Sequence, residues 1–218
     1  MSGNFFKKPV ETIAFRDTLF GDLPLNYWAG IDSNAEPWTL FKEVKRNVDK
    51  AKNEDAIKIL NNITAIPGLE SRQYLQAYHF LNNLAAVPEH NVRLYGIVVE
   101  VSMDQGTDLL AVYADYSARY YNYSGKSVIW EHPDNSIDGK IDHVMSQGEV
   151  VVAQVGPWKE PRLPVPSKGF ARVNFLTSHG IHFGEARQMD LFNDPLAGKL
   201  MYAMFEIMET LISKTEAA

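Results

Sequence analysis

The 218-residue chain contains no cysteine, which excludes disulfide cross-links, thiolate nucleophiles and cysteine-ligated zinc or iron–sulfur centres. It also lacks a basic excess. Its 21 Lys and Arg stand against 27 Asp and Glu, a net charge of −6 that gives no long-range attraction to phosphate backbones or anionic lipid. Nucleic acid and membrane are therefore not expected partners. The longest plain apolar run, residues 109–114, falls far short of the ~20 residues that span a bilayer. The N-terminus has Lys7 and Lys8 after two phenylalanines, but no continuous apolar stretch and no small-residue cleavage site. A cytoplasmic location is the expectation.

Catalytic signatures are missing too. There is no GxSxG elbow, no HExxH and no glycine-rich nucleotide fingerprint after a strand, so no cofactor is expected. Ser124-Gly125-Lys126-Ser127 resembles the end of a phosphate-binding loop. However, position 120, where that loop needs glycine, is Tyr, and the residues after Ser127 read as strand rather than helix. The string reads as a turn.

What is present is the composition of a packed globule, 45% hydrophobic and 22% charged, without repeats or low-complexity tracts. The fold expectation is α+β: an antiparallel β-meander plus a β-hairpin packed by helices, with a helical N-terminal lobe. Residues 1–88 form the lobe and 89–218 the sheet with its covering and C-terminal helices, the whole as one compact unit. Phe5, Phe6, Phe15, Phe20, Tyr27 and Trp28 mark residues 1–36 as an irregular aromatic strap. From Pro37, Trp38, Phe41, Val44 and Val48 recur at helical spacing, and Asn53 is placed to cap a second helix that Pro67-Gly68 ends. A third helix is expected over 70–86. The stretch Lys42, Lys45, Arg46, Lys50 and Lys52 reads as its lobe's solvated helical face.

From Val92 the period changes toward two. Three loops, at 104–106, 123–125 and 178–180, each place glycine third between strand-like runs, the signature of a type I turn with a bulge. This predicts strands at 93–103, 107–114, 118–122 and 126–131. One face collects Tyr95, Ile97, Val99, Val101, Leu109, Ala111, Tyr113, Ala118, Tyr120, Val128 and Trp130. The other collects Val98, Glu100, Leu110, Val112, Arg119, Tyr121, Ile129 and Glu131. Ile137, Ile141, Val144, Gly148, Val151 and Val155 predict a covering helix, with a strand after Gly148 as the alternative. Four prolines between Gly156 and Gly169 make an extended strap, and a hairpin of 170–177 with 181–187 follows. Asp194-Pro195 then opens a helix with an apolar stripe of Leu200, Met204, Ile207, Met208 and Leu211.

Three functional expectations follow. The leading one is a non-enzymatic protein-interaction or scaffold module, with a protein partner or self-association engaged by Met201, Met204 and Met208 where these do not fill the core. The second is a small-ligand-binding or sensory domain that uses Glu100, Arg119, Tyr121 and Glu131 on the mixed sheet face. The third is a metal-assisted enzyme. Its weak ligand candidates are His132 and His143, with Asp134, Asp138 and Asp142 nearby, or His179 and His182, with Glu185 nearby.

Overall fold

The computed structural model of the protein describes residues 14–87 and 91–216. The chain divides into two compact units, Met1–Arg93 and Leu94–Ala218. Phe5 and Phe6 of the expected strap, and Pro88, lie outside the described residues.

In the first unit, the strap is less irregular than its spacing implied. Phe15–Leu19 forms a 3-10 turn and Leu25–Ala29 a short helix, α1, followed by α2 (Trp38–Asp49), α3 (Asn53–Ala65) and α4 (Ser71–Asn83). Asn53 is the first residue of α3 rather than its cap; Lys52 holds that position without a side-chain bond. Glu70 and Gln73 close a capping box at the start of α4, with the Glu70 N–H donating to Gln73 Oε1 at 3.0 Å. Trp28, Phe41, Val44, Leu60, Ile63, Phe80 and Leu81 make this unit's core. Trp28 is its hub, stacked on Trp38 with centroids 5.1 Å apart and tilted against Phe41 at 5.3 Å.

The second unit is a six-stranded antiparallel sheet of order β4-β3-β2-β1-β5-β6. The strands are β1 (Leu94–Met103), β2 (Gly106–Tyr113), β3 (Ala118–Tyr121), β4 (Ser127–Trp130), β5 (Phe170–Thr177) and β6 (Gly180–Arg187). Helices α5 (Asp138–Val152), α6 (Gln188–Asn193) and α7 (Gly198–Glu216) complete it. The α+β class with N-terminal helices holds. Residues 150–152 continue α5 rather than starting a strand, because Val144, Gly148 and Val151 keep a helical stripe toward the sheet. The six-residue α6 has no counterpart in the sequence reading.

The turns decide which side chains meet. The 123–125 loop is as expected: Gly125 N donates to Asn122 O at 2.9 Å, Asn122 N donates to Lys126 O at 2.8 Å, and Gly125 sits at φ +89°. The other two loops have two residues. Met103 pairs with Gly106 and Thr177 with Gly180, so each glycine opens the outgoing strand. This one-residue change turns β2 over. Leu110 and Val112 join Ile97, Val99, Val101, Ala118, Tyr120, Val128 and Trp130 beneath the helices, whereas Leu109 and Ala111 pair with Glu100 and Val98 on the second face. β3, β4 and the stretch of β1 from Ile97 onward keep their expected faces, but an irregularity between Leu94 and Gly96 places Leu94 rather than the expected Tyr95 beneath the helices.

One further turn uses a residue that sequence does not flag. Tyr116 lies at φ +64° between Tyr113 and Ser117, in the same bonding pattern as Gly125. Asp115 Oδ1 secures it by accepting from Ser117 N at 3.0 Å and Ser117 Oγ at 2.7 Å.

Helix α5 approaches the sheet at Gly148, where a Cβ would come within 2.5 Å of Ile97 Cδ1 and 2.9 Å of Leu94 Cδ2. Gly148→Val should therefore overpack this contact and cost about 1–3 kcal/mol, seen as a lower melting temperature. An unchanged melt would show that the helix can lift from the sheet without penalty.

Candidate functional site

The second sheet face carries a buried polar network. Glu100 on β1 has no exposed surface, and Arg172 on the neighbouring β5 is 4% exposed. Arg172 Nη1 lies 3.3 Å from Glu100 Oε2 and donates to Pro164 O in the proline strap at 2.7 Å, while its Nε donates to Glu185 Oε2 on β6 at 2.7 Å. Asn174 Nδ2 donates to Glu100 Oε2 and to Val98 O, each at 3.1 Å. Arg172 also stands over the Phe183 ring. Charge-assisted bonds on several sides of one guanidinium are what make a buried carboxylate tolerable.

The four residues expected on this face are there, but they do not converge. Arg119 Nη2 bonds Glu131 Oε1 at 2.8 Å, two strands away from the Glu100–Arg172 pair. Glu100 and Arg119 are buried, Tyr121 is half-buried and only Glu131 is exposed. An open cavity of about 620 Å³ lies instead at the β1–β2 turn, lined by Asp104, Gln105, Tyr123, Lys168 and Gln188, and none of the four reaches it. Arg172 and Asn174 escaped the sequence reading because β5 pairs with β1 across a long separation that leaves no local spacing signal, and Glu185, noted there only beside the histidines, faces Arg172 across the β5–β6 hairpin.

The four candidate histidines lie in two places, His132 and His143 before and within α5, and His179 and His182 on the β5–β6 hairpin. Among the described residues no three His, Asp or Glu side chains gather to hold a metal ion. His132 Nε2 engages the Asp138 carboxylate at 3.0 Å, and its ring stacks on Tyr116 with centroids 5.5 Å apart. The Tyr116 hydroxyl donates to Asp142, and this bond, reinforced by the carboxylate's charge, raises the phenol's pKa. Asp134 accepts from Ser136 instead, which lowers its own pKa, and His143 is exposed on α5. His179 Nδ1 meets Ser178 Oγ at 2.9 Å. His182 is buried on β6 with its Nδ1 on Val155 O, leaving Nε2 buried without a hydrogen bond. Residue 179 lies in the two-residue turn, whereas residue 182 is on β6.

The basic stretch on α2 is a solvated face. Lys45 pairs with Asp49 and Arg46 with Glu43, while Lys42 Nζ donates to Ser33 O at 2.8 Å. Charges at these spacings satisfy one another along the helix.

On α7 the methionines take the core position rather than the interface one. Met201 and Met204 are 3% and 1% exposed within the core, and Met208 packs partly against it, so they fill the interior rather than face a partner. The outward side carries Tyr202, 58% exposed, and Phe205, 44% exposed. Phe192 of α6 meets Tyr202 edge-on at 5.1 Å, and Met189 one turn earlier is 68% exposed. A 100° step per residue places positions 202 and 205 off the Leu200–Met204–Ile207–Leu211 stripe, so this aromatic face was visible in the helical period. No protein-family model, curated protein or solved structure matches the chain.

Two outcomes test the electrostatics. Arg172→Met removes a cation from a fully buried carboxylate and should destabilise the unit by about 3–5 kcal/mol in chemical denaturation. A loss within error of zero would mean that Glu100 is neutralised by other means. For His182, burial disfavours the charged ring and lowers its pKa below 6.5; the bond to Val155 opposes this shift and His179 adds to it. The unfolded chain therefore binds the extra proton first, and stability falls as pH drops through 6.5. His182→Leu should flatten that part of the melting-temperature profile; parallel profiles for the two proteins would contradict it.

Proposed function

We propose that the chain is a non-enzymatic protein-interaction module whose contact face is the outer surface of α6 and α7. The observation that carries this reading is the cluster of Met189, Phe192, Tyr202 and Phe205, three of them strongly exposed on consecutive helices. Grouped aromatics and methionine are the side chains enriched at interfaces, and burying each contributes roughly 1.5–3 kcal/mol. Exposed apolar residues scattered singly need no explanation; a cluster does.

The support beneath the patch favours the same reading. Leu200, Met204, Ile207 and Leu211 are buried on the opposite side of α7 and hold the helix on the core. A face already fixed in place loses little conformational entropy when a partner covers it. Lys199, Glu206 and Glu209 are exposed beside the aromatics and add charged groups to the face.

The test is a site-specific photo-cross-link. Tyr202→p-benzoylphenylalanine should give covalent protein adducts on irradiation, whereas the same replacement at Val150, 52% exposed on α5, should give none. Phe205→Ser should reduce the adduct at position 202 about tenfold or more, as expected for an interface anchor. Equal yields at the two positions, or no adduct at 202, would dismiss the reading.

A further inference from the structure

Along α7 the outward positions Lys199, Tyr202, Glu206, Glu209 and Ser213 are all exposed. Their spacing of three, four, three and four keeps them on one strip of the helix, an exposed seam opposite the buried Leu200–Met204–Ile207–Leu211 stripe. Among the described residues, Lys199, Glu206 and Glu209 enter no ion pair. The seam is ordered by charge, with the cation at its N-terminal end and both anions toward its C-terminal end.

We infer that α7 docks antiparallel on α7 of a second copy of this chain, about a twofold axis near residue 204. This rests on the α6–α7 contact face proposed above and names its occupant. Antiparallel alignment brings Lys199 of each copy against Glu209 of the other, and the Tyr202 hydroxyl of each against the Glu206 carboxylate of the other. Both contacts occur twice, as an isologous interface requires. The two Phe205 rings flank the axis and meet there. Parallel alignment would instead set Glu206 against Glu206 and Glu209 against Glu209, which charge repulsion disfavours. Opposed helix dipoles favour the same direction.

The charge pattern provides a test that leaves the fold untouched, because positions 199 and 209 are exposed. Sedimentation velocity over a concentration series should show a dimer of the full chain. Lys199→Glu and Glu209→Lys should each weaken it about tenfold, since either change turns two attractive pairs repulsive. The double variant K199E/E209K should regain most of the affinity, and the benzoylphenylalanine adduct at position 202 should have twice the chain's mass. A monomer at every concentration, or a double variant no tighter than the single ones, would overturn the inference. An adduct at 202 of any other mass would overturn it too while leaving the broader interaction reading in place.

Discussion

The second unit is organised by one buried carboxylate. Glu100 lies in the middle of β1, the strand flanked by β2 on one side and β5 on the other, and it has no exposed surface. Such a group is stable only where cations and donors surround it, and Arg172 and Asn174 provide them from β5. Sliding β1 by one residue would swing Glu100 into the apolar layer beneath α5 and α7 and bring Val99 out to replace it. The penalty of an unpaired buried charge therefore selects one register among several that the apolar residues alone would allow. Ile97 and Val99 then face the helices, and the positions of α5 and α7 follow.

Much of this was legible in residue order. Helical period alone located α2, α3 and α4, and the stripe from Ile137 to Val155 identified α5 against a β-branched run that argued for strand. Gly125 announced its turn correctly, since the bonds around Asn122 match the type expected. What could not be read was parity at Gly106 and Gly180. A glycine at positive φ serves a two-residue loop as well as a three-residue one, so its presence marks a reversal without fixing which side chains face each other. Tyr116 shows the converse: a left-handed turn position filled by an aromatic, held by the Asp115 bonds to Ser117 and the stack on His132, gives no compositional cue.

The candidate sites divide along the same line. Glu100 and Arg119 were placed on the right face by alternation, but their partners belong to strands distant in sequence or at the sheet's edge, and only the folded sheet reveals that they join separate pairs. The methionines of α7 illustrate a different ambiguity. Their chemistry suits both core and interface, and the choice between these depends on angular position around the helix rather than on residue type. The buried stripe and the exposed aromatics are opposite sides of one element, so the packing of the first holds the second in place.

The pairing of β1 with β5 has a consequence for how the chain is made. Ribosomal synthesis delivers β1 through β4 and all of α5 before the first residue of β5, a delay of several seconds at ordinary elongation rates. Throughout that interval one border of β1 lacks its neighbour, a template on which nascent chains could stack. Until Arg172 is translated Glu100 has no partner from β5, and an inward-pointing charge is a recognised guard against edge-to-edge association. The carboxylate that later locks the sheet first protects its unfinished margin, and the arrival of the arginine ends that protection by completing the sheet.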